Sequence, residues 1–135
     1  MKIAVRYYSQ SGKTEKIARP IAAGAGVEAL SVTQAPVLDE AVDVLFLGGA
    51  PYANIMAPQL RSYAEALNKD CVRQVVLFTT ANWSHRTILA LKKLLRKKSI
   101  AVAEETFFAQ AARIDSRISD AEAFGRNVLE RDGVQ

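Results

Sequence analysis

Apolar and polar positions change period several times along the chain. Ile3-Ala4-Val5-Arg6-Tyr7-Tyr8 is short and β-prone, and it ends in the turn-like cluster Ser9-Gln10-Ser11-Gly12. Ile17, Ala18, Ile21 and Ala22 then recur at i, i+1, i+4, i+5, the stripe of an amphipathic helix. Gly24 and Gly26 are expected to stop this helix. Pro20, which lacks a backbone donor, is expected to kink or shorten it. Val27 to Val32 predicts a brief second strand, and Pro36 and Asp39 mark the loop after it. Val42-Asp43-Val44-Leu45-Phe46-Leu47-Gly48 is nearly all apolar, as befits a strand covered on both faces. Gly49 to Asn54 reads as a loop, and Pro58 suits the first turn of a helix. Leu60, Tyr63, Ala64 and Leu67 give that helix its apolar face. Val72 to Thr80 holds a fourth strand centred on Val75-Val76-Leu77-Phe78, and Thr79 to His85 a further loop. Ile88, Leu91 and Leu95 line one side of a third helix, with Lys93, Arg96 and Lys97 elsewhere. Ile100 to Phe108 predicts a fifth strand. Ser119-Asp120-Ala121-Glu122 has the form of a capping box, opening a last helix that buries Ala121, Phe124, Gly125, Val128 and Leu129.

Strands alternating with helices argue for a parallel sheet with helices on both faces. The expected architecture is an α/β three-layer sandwich with a five-stranded parallel sheet in the order 2-1-3-4-5. The segment from Thr33 to Glu40 must supply one crossover, with room for a short helix of its own. Connections are short and no repeat or linker interrupts them, so residues 1–135 read as a single domain. In such a sheet the ligand crevice lies at the carboxyl ends of strands 1 and 3, beside the point where strand order reverses. That rule selects the loops Ser9 to Lys13, Gly49 to Asn54 and Thr79 to His85.

Composition narrows the class. Hydrophobic residues make up 50% of the chain, enough for a proper core. No stretch approaches the roughly 18 continuous apolar residues of a membrane span. The apolar start is interrupted by Arg6, which does not suit a signal peptide, so a cytoplasmic location is expected. Cys71 is the single cysteine; it can build neither an internal disulfide nor a metal-ligand cluster, and it reads as a small residue at a strand entrance. The formal net charge is +4 and the pI about 9.4, with cations concentrated in Lys92, Lys93, Arg96, Lys97 and Lys98. Such a run can bind nucleic acid or an acidic surface; the first reading is a solvated helix face, and nucleic acid is a distant alternative.

The chemistry lies in the first loop, Ser9-Gln10-Ser11-Gly12-Lys13-Thr14. Glycine lets the backbone turn tightly and approach a ligand. The free N–H groups of the helix start then point at one spot, and the helix dipole favours negative charge there. Ser9, Ser11 and Thr14 add hydroxyl donors, so the assembly matches a terminal phosphate. Gly12-Lys13-Thr14 resembles the end of a P-loop, but Tyr7 stands where that motif needs its first glycine. Gly24-Ala25-Gly26-Val27-Glu28-Ala29 spells a dinucleotide fingerprint, but between a helix end and a strand, the wrong context. His85, the single histidine, reads as a surface residue or weak helix cap. Ser84 adjoins it, yet no placed acid completes a hydrolytic triad.

Ser9-Gln10-Ser11-Gly12-Lys13-Thr14, directly after the first strand, resembles the flavodoxin phosphate signature, and Glu15 with Ile17-Ala18 continues it. Gly48-Gly49-Ala50-Pro51-Tyr52 looks like the second flavin loop of flavodoxin-domain oxidoreductases, and Leu77 to Phe108 like their third-loop region. The resemblance implies a flavodoxin-like fold and FMN held by its phosphate on Ser9, Gln10, Ser11, Gly12, Lys13 and Thr14. It places the flavin ring between the other two loops, with Tyr52 and Trp83 available for stacking. Gly49, Ala50, Pro51, Tyr52, Ala53, Asn54, Thr80, Ala81, Asn82 and Trp83 complete the implied cofactor-binding set. A peptide group in Gly48 to Ala50 could turn to meet the ring, glycine lowering the cost of the change. Three features depart from the family: the basic charge balance, the absence of a glycine in Ala109-Gln110-Ala111, and Pro20. The first argues against a very low-potential shuttle to basic partners.

The implied function is that of an FMN-binding redox flavoprotein engaged in electron transport with a partner protein or a small-molecule donor or acceptor. The alternatives are an FMN-dependent oxidoreductase acting on a quinone or porphyrinogen, and a flavin-free binding module of the same fold.

Overall fold

In a computed structural model, residues 1–52, 55–81 and 84–131 are described, with Tyr52 and Arg131 described by their backbone. The first strand is β1 (Ile3–Tyr7), followed by α1 (Lys13–Ala25), β2 (Ala29–Ser31) and β3 (Val42–Gly49). Two short strands, β4 (Pro51–Tyr52) and β5 (Ile55–Met56), precede α2 (Pro58–Ala66). Then come β6 (Val72–Ala81), α3 (Arg86–Lys97), β7 (Val102–Gln110), a 3₁₀ turn over Ala111–Arg117, and α4 (Ile118–Arg131).

The main sheet has five strands in the order β2-β1-β3-β6-β7, and every pairing in it is parallel. This is the expected 2-1-3-4-5 order, with the antiparallel pair β4–β5 standing outside the main sheet. Because side chains alternate across a strand, each central strand feeds two cores. Leu45 and Leu47 of β3 join Val75 and Leu77 of β6 under α2 and α3, through Leu60, Ala64, Leu91 and Leu95. Phe46, Val76 and Phe78 face the other way and meet Ile17, Ile21, Ala121 and Val128 of α1 and α4. Phe46, Phe78, Leu45, Leu77 and Leu91 are fully buried, each such side chain contributing roughly 1.5–3 kcal/mol. The near-continuous apolar reading of the third strand thus has its cause in burial on both faces.

Several local expectations are corrected. Pro20 does not shorten α1, which runs for 13 residues with the proline inside it. Gly24 does not stop that helix; it sits inside it, and a Cβ there would lie 2.0 Å from the backbone oxygen of Glu122. Gly125 of α4 is its counterpart: a Cβ there would lie 2.1 Å from the carbonyl oxygen of Ile21. Two glycines therefore let α1 and α4 touch backbone to backbone. The helix ends instead at Gly26, left-handed at φ 80°, where Val27 N–H donates to the carbonyl of Ala22 at 2.9 Å.

The crossover from Thr33 to Glu40 contains no helix. It makes one turn, with Ala35 N–H donating to the Ser31 carbonyl at 2.9 Å, and then bends at Val37 and Glu40 before reaching β3. The fifth strand starts at Val102 rather than Ile100, because α3 unwinds through Ser99 at φ 62° and Ile100 N–H is still tied to the Leu95 carbonyl. Ser119 does not cap α4. The 3₁₀ turn leads straight into Ile118, so Ser119 already lies within the helix. Asp120 instead accepts from Arg117 Nε at 3.0 Å, while Arg117 Nη1 donates to the Phe108 carbonyl at 3.0 Å. Among the described residues no helix is long and apolar enough to cross a membrane.

Candidate functional site

Parallel strands deliver their carboxyl ends to one edge of the sheet. Here β1, β3 and β6 lie side by side, and the segments that leave them are Tyr8 to Gly12, Ala50 onward and the stretch after Ala81. The described parts of the three regions that the strand-order rule selects, Ser9 to Lys13, Gly49 to Tyr52 and Thr79 to Ala81, thus stand at one edge.

The bend after β1 is shaped by Gly12, left-handed at φ 90°, a conformation that disfavours side chains with a Cβ. Gly12 is the N-cap of α1 and carries no side chain to satisfy the helix start. Its own N–H donates to Ser9 Oγ at 2.9 Å, and its carbonyl accepts from Lys16 N–H at 3.2 Å. The amides of Lys13, Thr14 and Glu15 fall in the first turn, where an α-helix offers no acceptor. None of the three has a partner among the described residues. Ser11 and Lys13 are exposed beside them. Glu15, a carboxylate that would repel an anion here, is engaged by Arg19 Nε at 2.8 Å. This donor set suits an oxyanion: unpaired amides at the positive end of the helix dipole, hydroxyls, and one ammonium group. The Gly12 amide is already committed to Ser9, so the cup is built from the amides that follow it.

Thr14 turns inward. Its hydroxyl lies 2.7 Å from that of Thr80, and both side chains are 1% exposed. One hydrogen bond therefore ties the first turn of α1 to the end of β6. Thr80, expected at the flavin ring, spends its hydroxyl on this tie. Thr79, one residue earlier and fully buried, donates to the Gly49 carbonyl at 2.6 Å. Thr79 was not singled out in the sequence. The signal was present, since hydroxyls at the end of an apolar buried strand must find partners.

Gly48 ends the predicted third strand, and Gly49, expected to open the loop, also belongs to β3. A Cβ on Gly48 would sit 2.3 Å from the Phe78 ring, and one on Gly49 2.6 Å from Leu60 Cδ2. These glycines thus make room for packing. Gly48 accepts from Tyr8 N–H at 3.1 Å and Gly49 from Thr79. Both carbonyls are committed, which removes them as freely turning peptide groups.

Ala50 and Pro51 follow at the same edge, with Pro51 and the backbone of Tyr52 in β4. Ala53, Asn54, Asn82 and Trp83 lie outside the described residues. Ala81 closes β6, paired with Gln110. Gln10 is exposed on the first bend. His85 is the N-cap position of α3 and makes no side-chain capping bond; its ring stacks on Phe108, centroids 4.3 Å apart. Among the described residues no cluster of histidine, cysteine, aspartate or glutamate could hold a metal ion.

No known protein-family profile matches the chain, and no curated protein matches it in sequence. Solved structures match its fold. Oxidised flavodoxin 1 from Bacillus cereus superposes with a TM-score of 0.79 at 18% identity, over 97% of this chain and 99% of that one. A flavodoxin from the domain Archaea gives 0.74 at 18% identity, over 97% and 98%. The rubredoxin oxygen:oxidoreductase of Desulfovibrio gigas gives 0.70 at 14% identity; 98% of this chain corresponds to 37% of that longer protein.

Proposed function

The chain has the flavodoxin-like fold, and from that premise we propose that it binds FMN by the phosphate on Ser9 to Thr14 and acts in electron transfer. The observation that carries this reading is the first turn of α1. There the amides of Lys13, Thr14 and Glu15 have no partner among the described residues and stand beside exposed Ser11 and Lys13. Buried or half-buried N–H groups without acceptors cost free energy, and a phosphate oxygen relieves that cost. In this reading Gly49 at the end of β3, Thr80 and Ala81 at the end of β6, and Ala50, Pro51 and Tyr52 after β3 would border the ring, and Ala53, Asn54, Asn82 and Trp83, outside the described residues, complete the set. Bound flavin supplies the electron chemistry, and the protein orients it and sets its surroundings.

The division of labour inside the site follows from the hydrogen bonds. Ser9 fixes the bend by accepting from Gly12. Lys13 offers charge from an exposed position, and Thr14 holds α1 against β6. Titration of the purified chain with FMN, followed by flavin fluorescence, tests the reading. Riboflavin, which lacks the phosphate, is expected to bind at least about a hundredfold more weakly, since charged hydrogen bonds contribute about 1.5–3 kcal/mol each. Lys13→Glu is expected to weaken FMN and leave riboflavin unchanged. Equal affinity for the two flavins, or no binding of FMN, refutes the proposal.

A further inference from the structure

Five cations of the described residues stand in ion pairs. Lys2 meets Glu40, Lys16 meets Asp115, Arg19 meets Glu15, Arg117 meets Asp120 and Arg126 meets Glu122. None of these pairs lies on the outer face of α3, where five cations are gathered on one helix. Arg86, Lys92, Lys93, Arg96 and Lys97 have no carboxylate within ion-pair distance among the described residues, and α3 itself carries no acidic residue. Lys92 and Arg96, and Lys93 and Lys97, stand four apart, so like charges face each other along the helix, an arrangement that destabilises it. The helix dipole compensates only at the far end, where Arg96 and Lys97 occupy the last turn. Arg86 stands in the first turn, where the dipole opposes a cation. Helix stability therefore does not account for this charge.

Within the same face Leu89 is 61% exposed, opposite the buried stripe Ile88, Leu91 and Leu95. It lines a shallow groove with Lys92, Lys93, Arg96 and Lys97. The strand β5 packs beside α3 and offers a second large apolar side chain, Ile55, 60% exposed. Apolar centres within a charged surround are the anatomy of a protein interface. A nucleic-acid backbone would draw on the cations and gain nothing from the leucine and isoleucine.

We propose that the outer face of α3, with the adjoining edge of β5, docks a protein partner that presents carboxylates around an apolar contact. α3 begins at Arg86, just past the segment that follows β6, and runs away from that edge, so the groove from Leu89 to Lys97 starts about one turn from the candidate cofactor edge. The role of this docking in electron transfer rests on the FMN reading; the docking itself does not.

The test uses the full flavin-free chain and fluorescence anisotropy with three labelled probes: polyglutamate, a random glutamate–tyrosine copolymer, and a short DNA duplex of mixed sequence. The copolymer is expected to bind in a salt-dependent way and more tightly than polyglutamate. Lys93→Glu/Lys97→Glu is expected to lower both polypeptide affinities by about tenfold or more, since several surface attractions become repulsions at once. Leu89→Ser is expected to remove the advantage of the copolymer. Lys13→Glu is expected to change FMN affinity and leave the copolymer unaffected, which separates failure at this surface from failure at the flavin site. Helical content is checked by circular dichroism, and Lys93→Gln/Lys97→Gln replaces the reversal should that variant not fold. DNA binding tighter than the copolymer at equal salt overturns the proposal, as does copolymer affinity unchanged by the α3 variants.

Discussion

Replacing Thr14 by valine keeps the shape of the side chain and removes its hydroxyl. In the native chain that hydroxyl shares a 2.7 Å hydrogen bond with Thr80, and neither residue is more than 1% exposed. Thr14→Val therefore leaves the Thr80 oxygen buried with no partner and no route to water. Such an orphan costs about 1–3 kcal/mol, well above the net value of an average hydrogen bond. Thr80→Val creates the mirror-image orphan at Thr14 and should cost about the same. The double variant has no orphan. Two apolar groups of matching shape replace the bonded pair, and the change from native should fall below about 1 kcal/mol. The single variants thus overshoot the double, and the coupling recovered from the cycle is about 1–3 kcal/mol or more. Urea unfolding of the four chains, followed by circular dichroism, measures it directly. If the double variant loses as much as the two singles added together, the hydroxyls are independent and the tie between α1 and β6 is not an energetic one.

Two further outcomes follow from other contacts. Gly24→Ala should destabilise by about 1–3 kcal/mol even though alanine is the better helix former by about 1 kcal/mol, because the new Cβ meets the Glu122 backbone oxygen at 2.0 Å; a higher urea midpoint would refute the close helix contact. Burial pushes the Tyr63 phenol above its ordinary range, with the Arg6 charge opposing, and its hydroxyl has no partner among the described residues. The folded state thus holds the Tyr63 proton more tightly than the unfolded chain does. That stability is present below the unfolded pKa and is lost as pH rises through it towards the folded value. Tyr63→Phe should be at least as stable at neutral pH and lose less between pH about 9 and 11; an alkaline loss equal to that of the parent would refute this.

The sheet was legible because its central strands carry an unbroken signal. Val44 to Leu47 and Val75 to Phe78 have no polar residue, and only burial on both faces tolerates that. Strand order then followed from chain connectivity, and with it the edge where the candidate site lies. The helices were legible through their stripes, down to Leu60, Tyr63 and Ala64 on α2 and Ile88, Leu91 and Leu95 on α3. What stayed hidden depends on partners far away in sequence. Gly24 read as a helix stop because nothing nearby reveals Gly125 against the same helix. The tie of the Thr14 hydroxyl stayed hidden because Thr80 is 66 residues distant. Ser119 matched a local rule that the 3₁₀ turn over Ala111–Arg117 overrode, since Arg117 draws Asp120 to itself. The bend after β1 was visible because its determinants are local: a glycine, hydroxyls and a helix start within six consecutive residues, Ser9 to Thr14.

The bond from Thr79 to Gly49 has a mechanical consequence. It staples the last rungs of β3 and β6 together above the core, where Gly48 and Gly49 also pair with Phe78 and Thr79. The mouth of the crevice therefore cannot widen by splaying its floor. The threonine staple thus sets the spacing of the two strand ends on which the candidate site stands.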